Sequence, residues 1–313
     1  MRLFNRNVVV QVVVENERIT IPNDFKIEFS IQKTISGKSS EGQISIYNLN
    51  NETREKLLNN TDKVNGQVQL LAGYGDTTPP LVHDGDIIRS FEMLEQQDRK
   101  TTLIFGGRVR STNSAVFSKS YKGTTTVKQV VLDALQTFNL NFDQNVVANI
   151  SSGETVENFS FIGKTEKVMN DLLQPLNIQW LENNSELFLS KIGEALKDSE
   201  ESIIKLSPSS GLIKTAVRVD KGINATALLD GRVQIGTIIE IEREQEKTVG
   251  VIDGLINKIE SSFIKTKKIK DSNNTAGFYK IIQTTYQGDN WDGKYEMLLQ
   301  CVPYGNSSQQ ISS

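Results

Sequence analysis

The chain has 313 residues, a formal net charge of −3 and a single cysteine, Cys301. That length calls for two or three domains with sizeable cores. The near-balanced charge provides no global basic field for nucleic acid, and one thiol excludes an internal disulfide framework and argues against a cysteine zinc site.

The start, MRLFNRNVVVQVVVENER, has two arginines before an apolar run, but Gln11 interrupts the run and no small-residue cleavage site follows, so it reads as a strand. No segment approaches the roughly 20 apolar residues that span a bilayer, and a soluble protein made in a reducing cytoplasm is expected. Asn-x-Ser/Thr triplets, as at Asn51, Asn158, Asn224 and Asn306, follow from the Asn- and Ser-rich composition.

From Val8 to Phe29 β-branched residues dominate between turn signals at Asn16-Glu17 and Pro22-Asn23, and Phe25, Ile27, Phe29 and Ile31 alternate as in a half-buried strand. After a Gly- and Ser-rich loop at Ser36 to Ser40 comes EGQISIYNLNNETREKL, residues 41–57. There Ile44 and Ile46 set a strand, Asn48, Asn50 and Asn51 offer helix caps, and a short helix near Glu52 buries Leu57 and Leu58. Strands are expected at Val68 to Ala72, Leu81 to Arg89 and Lys100 to Arg110, and the polar stretch Ser111 to Gly123 reads as a linker.

Thr126 and Gln129 then form a capping box, and Val127, Val130, Val131, Ala134, Leu135 and Phe138 share one helix face ending near Asn139. A second helix from Thr165 turns Val168, Met169, Leu172 and Leu173 inward and ends at Pro175. Ile178 and Trp180, a turn at Glu182 to Ser185, and Leu187 and Leu189 make a hairpin. Beyond a charged boundary at Ile192 to Glu201, strands are expected at Ala225 to Leu229, Val233 to Glu242, Tyr279 to Tyr286 and Tyr295 to Val302, with a helix-like, Lys-rich insertion near 249–270.

The segment at 41–57 resembles the first barrel domain of the baseplate hub proteins of contractile-tailed bacteriophages, a family that joins the tail tube to the central spike. Related tube-like domains occur in tail tube proteins and in VgrG-type spikes of bacterial type VI secretion. The resemblance extends over nearly the whole chain and implies a mainly β fold with an α+β insert. Two tube-like antiparallel β-barrel domains, 1–110 and 196–313, would flank a small α+β domain at 111–195. It further implies a homotrimeric structural component of the virion. Such a ring would contact tail tube protein, spike protein and other baseplate proteins around a lumen through which DNA passes without specific binding. The polar tail ending at Ser313 is expected to leave no room for a spike or lysozyme-like domain. Other readings are a tail-tube or distal-tail ring protein and, in a different class, a phage-borne cell-wall-degrading or carbohydrate-binding protein.

Candidate chemistry is sparse. His83, the one histidine, lies in LVHDGDII just before Asp84 and Asp86, but neighbouring strand residues diverge and no second histidine exists, so a polar Asp-Gly-Asp turn is expected there. Glu154 and Glu157, Glu200 and Glu201, and Glu240, Glu242, Glu244 and Glu246 are paired in sequence, which does not make two acids face each other across a sugar. No phosphate loop and no G-x-S-x-G elbow is present. Lys265 to Lys270 lacks interleaved aromatics for base stacking. Trp180 is assigned to the core, and Trp291 either to an interface or to closing a barrel end. No catalytic, cofactor or metal residues are therefore expected, and no enzyme activity.

Overall fold

A computed structural model describes residues 5–15, 17–35, 40–59, 66–191, 203–242 and 275–304. The insertion near 249–270 with its lysines, the boundary at 192–201, Glu200, Glu201, Glu244 and Glu246 lie outside the described residues.

The first region runs β1 (Arg6–Val14), β2 (Glu17–Ile21), β3 (Ile27–Thr34), β4 (Glu41–Tyr47), α1 (Asn51–Leu58), β5 (Gln67–Tyr74), β6 (Leu81–Glu95) and β7 (Asp98–Gly106). The middle region runs α2 (Val109–Ser114), β8 (Val116–Ser120), β9 (Thr124–Thr126), α3 (Val127–Thr137), β10 (Asn141–Phe142), β11 (Thr155–Glu157), β12 (Ser160–Lys164), α4 (Thr165–Leu173), β13 (Ile178–Asn183) and β14 (Glu186–Lys191). The third adds β15 (Ile204–Leu206), β16 (Leu212–Val219), β17 (Gly222–Leu228), β18 (Ile238–Ile241), β19 (Gly277–Asp289) and β20 (Tyr295–Pro303). The protein is thus mainly β with an α+β insert, the class the sequence predicts.

The first and third regions form one sheet. Its 13 strands follow the path β16-β17-β20-β19-β3-β4-β7-β6-β5-β1-β2, with β18 and β15 branching from β19. The join is the antiparallel pair β3–β19, from Gln283↔Thr34 to Asp289↔Glu28. One apolar cluster serves both regions, running from Val8, Ile31 and Phe105 to Ile223, Tyr286 and Leu299. Core-facing residues alternate along β1, with Val8, Val10, Val12 and Val14 inward.

Within the path one strand order occurs twice, β16-β17-β20-β19 and then β3-β4-β7-β6. The two long strands share an irregularity. Pairing with β7 skips Ile88 between Ile87 and Arg89, and pairing with β20 skips Ile282 between Ile281 and Gln283. Each bulge follows an isoleucine pair and bends its strand. This fixes a residue correspondence: Ile87 with Ile281, Glu92 with Tyr286, Leu94 with Gly288.

The helices follow their sequence signals. Asn50 caps α1 by accepting from Thr53 N at 2.8 Å, and Thr126 caps α3 by accepting from Gln129 N. Leu57 is buried under α1, while Leu58 is only half-buried. Asn48 does not cap α1; it adopts φ 56° and its amide binds Asp98 and Arg99 N across the β6–β7 turn. The insert has its own core, with Phe138 stacked on Trp180 at 5.1 Å.

Three expectations change. Residues 111–123 are not a linker, because α2 and β8 occupy them and Ala115 and Phe117 enter the insert core. The Asp-Gly-Asp segment is not a turn; it lies inside β6, which runs 15 residues. Only Ile238–Ile241 of the Val233 to Glu242 stretch is strand, since Asp230 accepts from Val233 N and Gln234 from Thr237 N in preceding turns.

Candidate functional site

Two features of the molecule have functional geometry: a buried polar joint under the insert and two strand edges at the ends of the repeated sheet.

The joint begins with β6. His83, Asp84 and Asp86 are all buried. His83 points into the sheet core against Phe105, 4.7 Å between rings, with Nε2 3.0 Å from Gly106 O and Nδ1 3.4 Å from Ser40 Oγ. Burial drives its pKa well below the ordinary value, helped by the cationic Lys33 and Arg108 nearby. It is therefore a neutral core imidazole. Gly85 is required by close approach, since a Cβ there would lie 1.8 Å from Gly106 O.

Asp84 and Asp86 point the other way. Arg108 Nη2 lies 2.8 Å from both oxygens of Asp84, and Nη1 lies 3.4 Å from Asp86 Oδ1. The same arginine donates from Nε to Ser185 Oγ at 2.6 Å, and its backbone N–H donates to Glu182 at 3.2 Å. Ser185 Oγ in turn donates to Asp84. Asn184 and Ser185 form the tip of the β13–β14 hairpin with φ 52° and 69°, the positive values that a two-residue hairpin turn demands. Asn184 Oδ1 accepts from Asp84 N at 3.1 Å.

Lys33, on β3, completes the joint. Its Nζ contacts Asn183 Oδ1, Asn184 Oδ1 and Gln234 Oε1 at 2.8, 2.8 and 2.9 Å, linking all three regions. Burial pushes its pKa down to about 7, while Glu182 and Asp84 act to raise it. Three oxygen acceptors match the three donors of the charged ammonium. Burial also raises the Glu182 carboxyl, against hydrogen bonds from Ser185 and Arg108. On the third region, buried Lys280 donates to Ser190 Oγ of β14 at 3.0 Å. An apolar patch of Ile35, Leu181 and Ile235 lies alongside.

These groups are paired with one another and hold the hairpin in place. A groove of about 820 Å³ beside the joint is lined by Arg108, Arg110, Asp86 and Asn141 among others. Among the described residues no cluster of three or more His, Cys, Asp or Glu could hold a metal. Glu154 and Glu157 are exposed around β11, and Glu240 is half-buried on β18. Trp180 is core, its Nε1 donating to Asn170. Trp291 is 65% exposed on the β19–β20 loop, so it does not close a barrel end.

The edges lie at opposite ends of the repeated path. The last part of β6 pairs on one side with β7, and β16 pairs on one side with β17; neither has a strand on its other side among the described residues. Large apolar residues are exposed on both: Met93 and Leu94 on β6, Val217 and Val219 on β16. Open, partly apolar edges are assembly sites.

The fold is that of phage tail proteins. The protein superposes on a tail protein from Neisseria meningitidis MC58 with a TM-score of 0.55 at 9% identity, covering 94% of this chain and 96% of that one. It matches the 43 kDa tail protein of prophage MuSo2 from Shewanella oneidensis with a TM-score of 0.56 at 8% identity, over 95% and 98% of the two chains. A chain of the lidless PdpA–VgrG complex gives a TM-score of 0.53 at 11% identity, over 96% of this chain and 65% of that one. Comparison with curated proteins gave no match. The family model described as "Baseplate hub gp41" matches residues 7–260, and the chain belongs to that family. It is a baseplate hub or tail protein of a phage or phage-like machine.

Proposed function

We propose that this protein is the central hub of a contractile phage baseplate, a non-enzymatic homotrimeric ring around the tail lumen that joins a sixfold tail tube to a threefold spike. Residues 1–110 and 196–313 act as two tube-like barrel modules and 111–195 as the small α+β domain between them. The repeated strand order carries this reading, because two similar units per chain give a threefold assembly six similar modules. One module face meets the tube, the other the spike, and other baseplate proteins bind outside. DNA passes without specific contacts, and the ring is built in the host cytoplasm before it enters the virion.

Mass measurement of the purified protein, alone and with its spike partner, tests this reading. Three copies are expected. Monomers in both samples would overturn the ring, and a six-copy ring would point instead to a tube component.

A further inference from the structure

The repeat predicts what covers the two open edges. Inside the chain, unit β16-β17-β20-β19 joins unit β3-β4-β7-β6 by pairing β19 with β3. In the correspondence fixed by the bulges, β6 stands where β19 stands, and β16 stands where β3 stands. The shared partners confirm the second equivalence, since Ile27 pairs with Ile46 as Leu212 pairs with Ala227, and Ile31 pairs with Gly42 as Arg218 pairs with Ile223. Repeating the internal join between chains therefore pairs β6 of one copy with β16 of the next.

We propose that Phe91–Glu95 of one copy hydrogen-bonds antiparallel to Lys214–Val219 of the next copy of this chain, in the register of the internal β19–β3 join. This rests on the ring reading above and names its contact. Tyr286↔Ile31 transposes to Glu92 opposite Arg218, and Thr285↔Gln32 to Phe91 opposite Val219. Gln287↔Ser30 transposes to Met93 opposite Val217, and Gly288↔Phe29 to Leu94 opposite a β16 bulge where Thr215 and Ala216 share one position and the buried Ala216 takes the inward place of Phe29. Asp289↔Glu28 becomes Glu95 opposite Lys214.

The side chains at these transposed positions are complementary, although nothing in the internal join requires it. Both acids of the β6 edge meet bases on β16. Glu92 and Glu95 already bridge Arg54, Arg99 and Lys100 within the chain, so Arg218 and Lys214 extend an existing charge network. Met93, 50% exposed, meets Val217, 60% exposed, on one face of the pair. The size match also transposes. Internally Gly288 makes room for the Phe29 ring, 2.2 Å from where a Cβ would stand, whereas between copies the large Leu94, 71% exposed, faces the small Ala216.

Paired cysteines in the full chain test the register. Met93→Cys with Val217→Cys, and Glu92→Cys with Arg218→Cys, place thiols on directly opposite residues, within disulfide reach. Phe91→Cys with Lys214→Cys is the off-register control. Native Cys301 stays out, because it is buried and its thiol is pushed up to about 12. Under a mild oxidant such as diamide, at least one matched pair should link chain to chain into a ladder that ends at the ring size, and the control should not. An assembled ring in which neither matched pair exceeds the control overturns the register and leaves the hub reading standing. Monomers without cross-links overturn both.

Charge reversal provides a second measurement that does not depend on the cysteine variants folding. Glu95→Lys or Lys214→Glu alone should weaken association on the order of fivefold, and the double reversal should restore it. Failure of the double variant to recover overturns the pairing.

Discussion

The two halves of the sheet, β3-β4-β7-β6 and β16-β17-β20-β19, share an order and a bulge yet differ where each long strand meets its neighbour. At the internal join the inward positions are Tyr286, fully buried with its hydroxyl donating to Val233 O, and Gly288 under the Phe29 ring. At the open end the corresponding positions are Glu92 and Leu94. An internal join is made once, on folding, and tolerates an apolar, close-packed seam. An edge must stay in water until a partner arrives, and charges along it oppose indiscriminate strand pairing. On the proposed pairing, the difference between the halves is one between a permanent and an assembled contact.

The halves also grip the insert through corresponding positions. Counting back from the bulges, Asp86 of β6 aligns with Lys280 of β19; both are buried, the acid held by Arg108 and the base bonded to Ser190. The first half supplies the larger network, in which Asp84 and Arg108 hold Ser185 of the insert hairpin, and should carry most of the strength of the joint.

Substitutions can break or sharpen this contrast. The largest effect is expected for Arg108→Met, which leaves Asp84 and Asp86 buried without their cation and should cost about 3–5 kcal/mol in denaturant unfolding. If it costs no more than Ser190→Ala on the Lys280 side, the joint is not dominated by the first half. Tyr286→Ala should cost about 3–4 kcal/mol, whereas Glu92→Ala at the matching position should change the unfolding of the isolated chain by only about 0.5 kcal/mol. Equal losses would dissolve the distinction between seam and edge. Gly288→Ala forces a methyl into the Phe29 ring and should cost about 1–3 kcal/mol, against a near-neutral Leu94→Ala.

The remaining effect is a pH slope. Lys33 titrates near 7 in the folded chain and at about 10.5 when unfolded, so between those values the unfolded chain binds more protons. Its contribution to stability therefore rises with pH across that window, and below about 7 the cost of burying the charge is fully present. Unfolding followed from pH 7 to 10 should show a shallower rise in Lys33→Met than in the parent protein.

Local signals made the helices readable. The capping threonine at 126 and the apolar face from Val127 to Phe138 placed α3 to within two residues, and Asn184-Ser185 closed the hairpin where turn chemistry expected it. The edge strand β16 was not legible, because only Leu212 and Ala216 along it are buried and period-two alternation never forms. Residues 109–120 are mostly polar, with Ala115 and Phe117 alone entering the insert core, so composition favoured a linker. At Asp84-Gly85-Asp86 a local turn signal competed with tertiary demands: Gly85 admits Gly106 O, and the acids meet Arg108 and a hairpin tip a hundred residues away. A joint assembled from Lys33, Asp84, Arg108, Ser185 and Gln234 has no spacing in sequence by which to recognise it.

The central claim is a threefold ring built from two similar modules per chain, and electron cryo-microscopy of the protein assembled with its spike partner tests it most directly. Three copies forming six four-strand units are expected, with β6 of each copy hydrogen-bonded to β16 of the next and Met93 beside Val217. A ring of six identical copies, or three copies joined through any other surface, would contradict it.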